Sequence, residues 1–353
     1  MRARLAVLLA ALGLLAAAAY LAGKPGHRDE EAAERSATRK PVSSEDKLAA
    51  LPPPTAEAFA RAAARRATLF GEYALATSYR ALYDRLKGSA EGSTAEGLYV
   101  LYQILHRCAT VTGGPVRRKA SAKSLDQRRR EFLDALAPDD PQRDKRIAAF
   151  ERVAVDKCAG FEDVKATQAE LDALLDAAAA AGDPKAKARA IERDIWQARA
   201  GSQWGTATLS AAQVGTLEQA VQTKDPEAMR LAGQLLSDPW PDVVVRLGPE
   251  QQPVEARAFN NAWQMLSCDY GSPACGPGSE RLLDPCAYQG HCDAASLPEF
   301  LYYYGSTPHE AELMTQYESV LRAGIETGDW SQLVVTHGTR VPGTGFPVHH
   351  GAG

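Results

Sequence analysis

The chain has 353 residues, 45% of them hydrophobic and 24% charged, with a formal net charge of −4. This is a globular composition with enough apolar material for a sizeable core, at a length of one long or two ordinary domains. The near balance of charge excludes a general attraction to nucleic acid, and abundant alanine with few strand-like stretches points to an all-α fold.

At the N-terminus, Arg2 and Arg4 precede an uncharged apolar run from Leu5 to Ala22. A charged segment before an apolar one marks export, so residues 1–22 read as a signal peptide or a membrane anchor. The run is close to the roughly 20 residues that cross a bilayer, while Ala17-Ala18-Ala19 offers a cleavage site before Tyr20. In either case the flanking arginines stay cytoplasmic and the rest goes outward. The expected location is the periplasm, free or anchored in the inner membrane through this segment. Residues 23–55, with mixed charges and Pro41, Pro52, Pro53 and Pro54, read as a disordered linker. Ser44-Glu45-Asp46-Lys47 matches a serine–lysine catalytic motif but sits in that linker, with no helix to bring Lys47 to the Ser44 hydroxyl.

A helical domain is expected over 56–236. Phe59, Ala63, Phe70, Tyr73, Ala74, Leu82 and Tyr83 keep helical spacing. Ser93-Thr94-Ala95-Glu96 fits a capping box, followed by Leu98, Leu101, Leu105 and Cys108 on one face. His106 on this helix reads as a satisfied core histidine. Arg117, Arg118, Lys119, Lys123, Arg128, Arg129 and Arg130 form a basic run, read as a solvated surface. Asp140-Pro141, Asp183-Pro184 and Asp225-Pro226 follow, 43 and 42 residues apart. Each pairs a helix N-cap with a proline whose missing donor costs nothing in the first turn. Helices over 170–180 and 212–222 fit between the caps, giving two-helix units that stack. Acid pairs such as Glu192 and Asp194 read as solvated.

Ala181-Gly182-Asp183-Pro184-Lys185-Ala186 and Lys224-Asp225-Pro226-Glu227-Ala228-Met229-Arg230-Leu231-Ala232-Gly233 resemble the first-helix segment of Sel-type repeats, a branch of the tetratricopeptide superfamily. The resemblance implies an α-solenoid used for protein contacts. The usual Trp-Tyr-x-x-Ala-Ala pattern of the second helix is missing. As a whole the chain resembles exported proteobacterial proteins with a cysteine-bearing C-terminal segment, which implies no activity.

Residues 237–335 are expected to form that cysteine-bearing helical segment, after a proline-rich loop from Ser237 to Pro253, with a disordered tail at 336–353. A helix over 255–266 turns Phe259, Ala262, Trp263 and Leu266 to one face and runs into Cys268. Capping boxes at Ser296-Leu297-Pro298-Glu299 and Thr307-Pro308-His309-Glu310 start two more helices, the first carrying the aromatic run Phe300 to Tyr304, read as a packing shelf. Gly328 is a C-terminal stop.

The six cysteines allow 15 pairings. Local spacing makes Cys268–Cys275 and Cys286–Cys292 the simplest, leaving Cys108 with Cys158. Zinc would usually need ligands two to four residues apart, whereas the intervals from Cys268 to Cys292 are six, ten and five residues. His309-Glu310 begins a metalloprotease motif, but Leu313 stands where its second histidine belongs. No catalytic, cofactor or metal residue is assigned. The expectation is a stacked-hairpin, α-solenoid-like protein with a disulfide-stapled C-terminal segment, acting without catalysis as a scaffold for a protein partner at the bacterial cell envelope. The alternative is an envelope hydrolase, for example one acting on peptidoglycan, with a carboxylate site in the concave face.

Overall fold

A computed structural model describes residues 64–337 apart from 66, 112–124, 202–207, 239 and 241. The N-terminal apolar run, the linker with Ser44 and Lys47, most of the basic run and the tail beyond His337 lie outside the described residues. Among the described residues no helix is long and apolar enough to cross a membrane.

The fold is all-α in its mass. Thirteen α-helices occur among the described residues: α1 Leu69–Leu75, α2 Arg80–Leu86, α3 Ala95–Val111, α4 Leu125–Ala135, α5 Arg143–Phe150, α6 Gln168–Ala180, α7 Pro184–Gly201, α8 Ala211–Gln222, α9 Pro226–Ser237, α10 Ala256–Asp269, α11 Glu280–Gln289, α12 Leu297–Tyr303 and α13 Pro308–Thr327. Their starts follow from side-chain chemistry. Asp183 and Asp225 accept the first-turn amides of α7 and α9, with Pro184 and Pro226 at the first helical position. Thr307 and Glu310 close a reciprocal capping box on α13, and Gly328 ends that helix in the left-handed region.

Two local expectations need correction. Asp140 caps no helix: it accepts from the Gln142 amide in a turn ahead of α5 and holds Arg146 at 2.5 Å. Glu96 closes no capping box, because Thr94 supplies the cap of α3 and the Glu96 carboxylate reaches sideways to the Phe70 amide of α1.

The helices bury three clusters. Tyr79, Leu86, Tyr99, Ile104, Leu171 and Leu175 centre the first, from α2, α3 and α6. Phe132 and Phe150, stacked at 4.2 Å, join α4 and α5 to α11 in the smallest. The largest runs from α7 to α13 and crosses the expected 236/237 boundary without interruption. At that crossing α9 lies against α10 with almost no gap: a β-carbon built on Gly233 would sit 2.3 Å from the Trp263 Cβ. Gly233→Ala is therefore expected to force the two helices apart and lower stability by about 1–3 kcal/mol, read as a lower urea midpoint at unchanged slope.

A small antiparallel sheet also contributes to this core, where the sequence pointed to a loop and to the junction of the helical segment with the tail. β1 (Val243–Leu247) pairs with β2 (Gln252–Pro253) and, from Val243↔His337 to Leu247↔Leu333, with β3 (Leu333–His337). Val243, Val245 and Leu247 point inward while Val244 stays exposed, the alternation of a half-buried strand.

The six cysteines form three disulfides, in the pairs that local spacing favours: Cys108–Cys158, Cys268–Cys275 and Cys286–Cys292. The first ties α3 to a short 3₁₀ turn at Asp156–Cys158, the second ties the end of α10 to a 3₁₀ turn at Pro273–Cys275, and the third ties the end of α11 to the loop before α12.

Candidate functional site

The stapled stretch sets the geometry of a pocket. Cys268–Cys275 fixes how the chain leaves α10 and Cys286–Cys292 fixes how it leaves α11, so α10, α11 and α12 meet at a set angle over α9. Between them lies a cavity of about 630 Å³. Arg230 and Gln234 of α9 form its floor, Asn260, Asn261 and Gln264 of α10 one wall, and Arg281 and Asp284 of α11 another. Leu297, Phe300, Leu301 and Tyr304 close the last side, with Arg257 at the rim. The aromatic run is thus part packing shelf and part pocket wall. The His291 ring, next to Cys292, lies 5.1 Å from Tyr304 and 5.9 Å from Phe300, tying that wall to the cysteine stretch.

Behind the floor is a buried ion network. Glu227 is 7% exposed. Its carboxylate accepts from Arg230, one turn on, at 2.8 Å, and lies 3.7 Å from Arg281 of α11 and 3.9 Å from Arg189 of α7. Arg189 also pairs with Glu192, and Glu192 accepts from Gln234 at 3.0 Å, so α7 and α9 are laced together by charge. Glu192, expected in solvent, is buried, whereas Asp194 is 55% exposed at its side chain. Burial alone would raise the Glu227 pKa, but Arg230, Arg281 and Arg189 outweigh it and hold it at about 2.

Arg281 is the group this network serves least. Its side chain is 18% exposed, its one ion pair within 4 Å among the described residues is the 3.7 Å contact with a carboxylate already used by Arg230, and its Nη1 is buried without a hydrogen bond. Burial and the neighbouring Arg230 lower its pKa to about 9, still charged at neutral pH. Three guanidinium groups, Arg189, Arg230 and Arg281, share two carboxylates, Glu192 and Glu227.

A second cluster runs along α11 and includes Asp284 of the pocket wall. Glu280 pairs with Arg107 and, at 4.0 Å, with the buried Lys157. Asp284 stands one turn along the same helix. Burial and then Glu280 push its carboxyl up to about 6. A third cluster centres on Lys185, 5% exposed at its side chain, held by Asp183 at 3.0 Å and Asp225 at 3.5 Å. There the two Asp-Pro caps share one cation, which locks the starts of α7 and α9 together.

No family model, curated protein or solved structure matches the chain. The reading of the pocket therefore rests on its own chemistry.

Of the residues weighed from sequence, the four cysteines from Cys268 to Cys292 position the site rather than line it, and Cys108 and Cys158 staple α3 elsewhere in the fold. His106 stacks on Tyr102 at 5.4 Å beside the exposed Trp196, in a separate cleft of about 640 Å³, with its pKa lowered by burial and by Arg189. His309 is exposed, and Glu310 serves the capping box and an ion pair with Arg257 at 3.4 Å. Among the described residues no cluster of three or more His, Cys, Asp or Glu is arranged to hold a metal ion. Glu227, Arg230, Arg189 and Arg281 were not anticipated. The signal was present as two oppositely charged pairs three residues apart, Arg189/Glu192 and Glu227/Arg230, on otherwise small-residue helix faces.

Proposed function

We propose that the chain is a non-enzymatic binding scaffold of the bacterial cell envelope, a body of helical hairpins that presents the α9–α12 pocket to a partner. The observation that carries this reading is the lining of the pocket: cations, neutral amides and an apolar and aromatic wall, with Asp284 the single carboxylate among its lining residues. Hydrolysis by paired acids needs two carboxyl groups facing one bond. Glu280, the nearest candidate for a second, is engaged by Arg107 and Lys157. Export is supported by Arg2, Arg4 and the apolar run to Ala22, together with three disulfides of the kind that persist in oxidising compartments.

Two measurements test this. A photo-crosslinking residue placed at Tyr304, on the pocket wall, is expected to give a discrete adduct in intact cells, and the same residue at the exposed Glu312 on α13 none. The purified chain is expected to release no soluble fragments from peptidoglycan sacculi. Fragment release that Asp284→Asn abolishes would establish the hydrolase instead.

A further inference from the structure

The charge arithmetic of the pocket identifies the chemistry of what it takes. Arg107 and Lys157 pair with Glu280 and lie in the field of Asp284 on the pocket wall, and Arg257 at the rim is matched by Glu310. The network behind the floor is not matched: Arg189, Arg230 and Arg281 face Glu192 and Glu227, one positive charge in excess. That excess is localised at Arg281, whose ion pair is the long 3.7 Å contact with Glu227 and whose partly exposed side chain lines the pocket. A half-paired guanidinium in a low-dielectric site is unfavourable, and an oxyanion supplied from the pocket side would complete it.

We propose that the pocket binds a monoanionic, carboxylate-bearing polar molecule, with its carboxylate on Arg281, its hydrogen-bonding body on Asn260, Asn261 and Gln264, and an apolar part against Leu297 and Phe300. This rests on the binding reading above and narrows it. One unmatched positive charge fits a carboxylate better than a doubly charged phosphate. The planar fork of arginine suits two carboxylate oxygens. The amides of α10 both donate and accept, as needed for a peptide amide or for sugar hydroxyls. Asn261 is fixed in place, its Nδ2 donating to the Ser306 Oγ at 3.0 Å and its Oδ1 accepting from Gln264 at 3.4 Å. The cavity, about 630 Å³, falls within the usual range for small-molecule sites.

The two sources of such a carboxylate, an amino-acid or peptide terminus and a sugar acid, are separated by the probes. The full chain is titrated with N-acetyl-L-leucine against N-acetyl-L-leucinamide, and with D-glucuronate against D-glucose, at matched ionic strength. At about 10 mM, roughly ten times a millimolar Kd, the preferred acid is expected to raise the melting midpoint by roughly 3–6 °C, and its neutral twin not at all. Which acid responds names the source. Arg281→Gln should abolish the response, and should itself melt higher than the wild type without ligand, because it removes the half-paired charge. Arg257→Gln, at an exposed rim position, should fold normally and weaken binding a few-fold. The proposal is overturned if neither acid responds, if the neutral twins respond equally, if inorganic phosphate binds where both carboxylates fail, or if Arg281→Gln responds like the wild type. None of these touches the binding reading, which is tested separately by crosslinking at Tyr304 and by fragment release from sacculi.

Discussion

Replacing Glu227 by glutamine is expected to lower the stability of the folded chain by about 3–5 kcal/mol, the usual cost of breaking a buried ion network from one side. The side chain keeps its size and can still accept a hydrogen bond, so the loss is one of charge. Three arginines converge on this carboxylate from three helices: Arg189 from α7, Arg230 from α9 and Arg281 from α11. With the charge gone, Glu192 alone opposes them, and two guanidinium groups are left unmatched in the interior. Urea unfolding of the two proteins reads the difference directly. The pH dependence gives a second readout. The Glu227 carboxyl is held at about 2 against its ordinary 4.5, so the folded state favours its ionised form. Its contribution is fully present above pH 4.5 and is lost as pH falls from there toward 2. Over that window the wild type should lose about 3 kcal/mol through this group, and the glutamine variant, with nothing to protonate there, should show a correspondingly flatter acid limb. If the variant is as stable as the wild type at neutral pH, Glu227 does not hold the three helices together.

The same residue shows where sequence stops being informative. Helix starts were legible because their chemistry is local: Asp225 reaches amides two and three residues away, and Thr307 and Glu310 satisfy each other within one turn. Even so, local legibility has an edge. Glu96 sits three residues after a serine and was read as a capping partner, yet a better acceptor position existed across the fold, at the amide of Phe70. The cysteine stretch was legible because short spacings limit pairing. The ion network was not. A glutamate three residues from an arginine looks alike on a solvated face and on a buried one, and only the approach of α11 to α7 and α9 decides between them. The strand Val243–Leu247 was hidden for a related reason: its main partner, Leu333–His337, lies some 90 residues on, and its turn residues dominate the local pattern. The pocket depended on both non-local facts, the meeting of α9 with α10 and the return of α11 and α12 over them, and so could not be seen beforehand, although the stapled loops that hold it open could.

Those staples differ in weight, and removing them should separate stability from site geometry. Cys108–Cys158 spans 50 residues, against 7 for Cys268–Cys275 and 6 for Cys286–Cys292. On the loop-closure argument the long crosslink contributes about 4 kcal/mol, and each short one about 2–3. The double replacement Cys108→Ala with Cys158→Ala is thus expected to lower the melting midpoint by roughly 8–16 °C, since 1 kcal/mol moves a chain of this size by roughly 2–4 °C. Both sulfurs are buried, and the turn they anchor carries Lys157, whose buried ammonium donates to the Tyr79 hydroxyl at 3.2 Å and faces Glu280. Loosening that turn adds an electrostatic loss to the entropic one, which places the expected value toward the upper end. The pair Cys286→Ala with Cys292→Ala should behave in the opposite sense. Its stability loss is smaller, but the crosslink lies beside His291, which packs against Tyr304 and Phe300 on the pocket wall. Its variant should therefore melt roughly 4–12 °C lower, less than the first, yet lose crosslinking from position 304. Calorimetric melts of both double variants, set beside adduct formation at Tyr304, distinguish the two roles. Equal losses of stability, or an undiminished adduct in the second variant, would show that the short clamp does not shape the pocket.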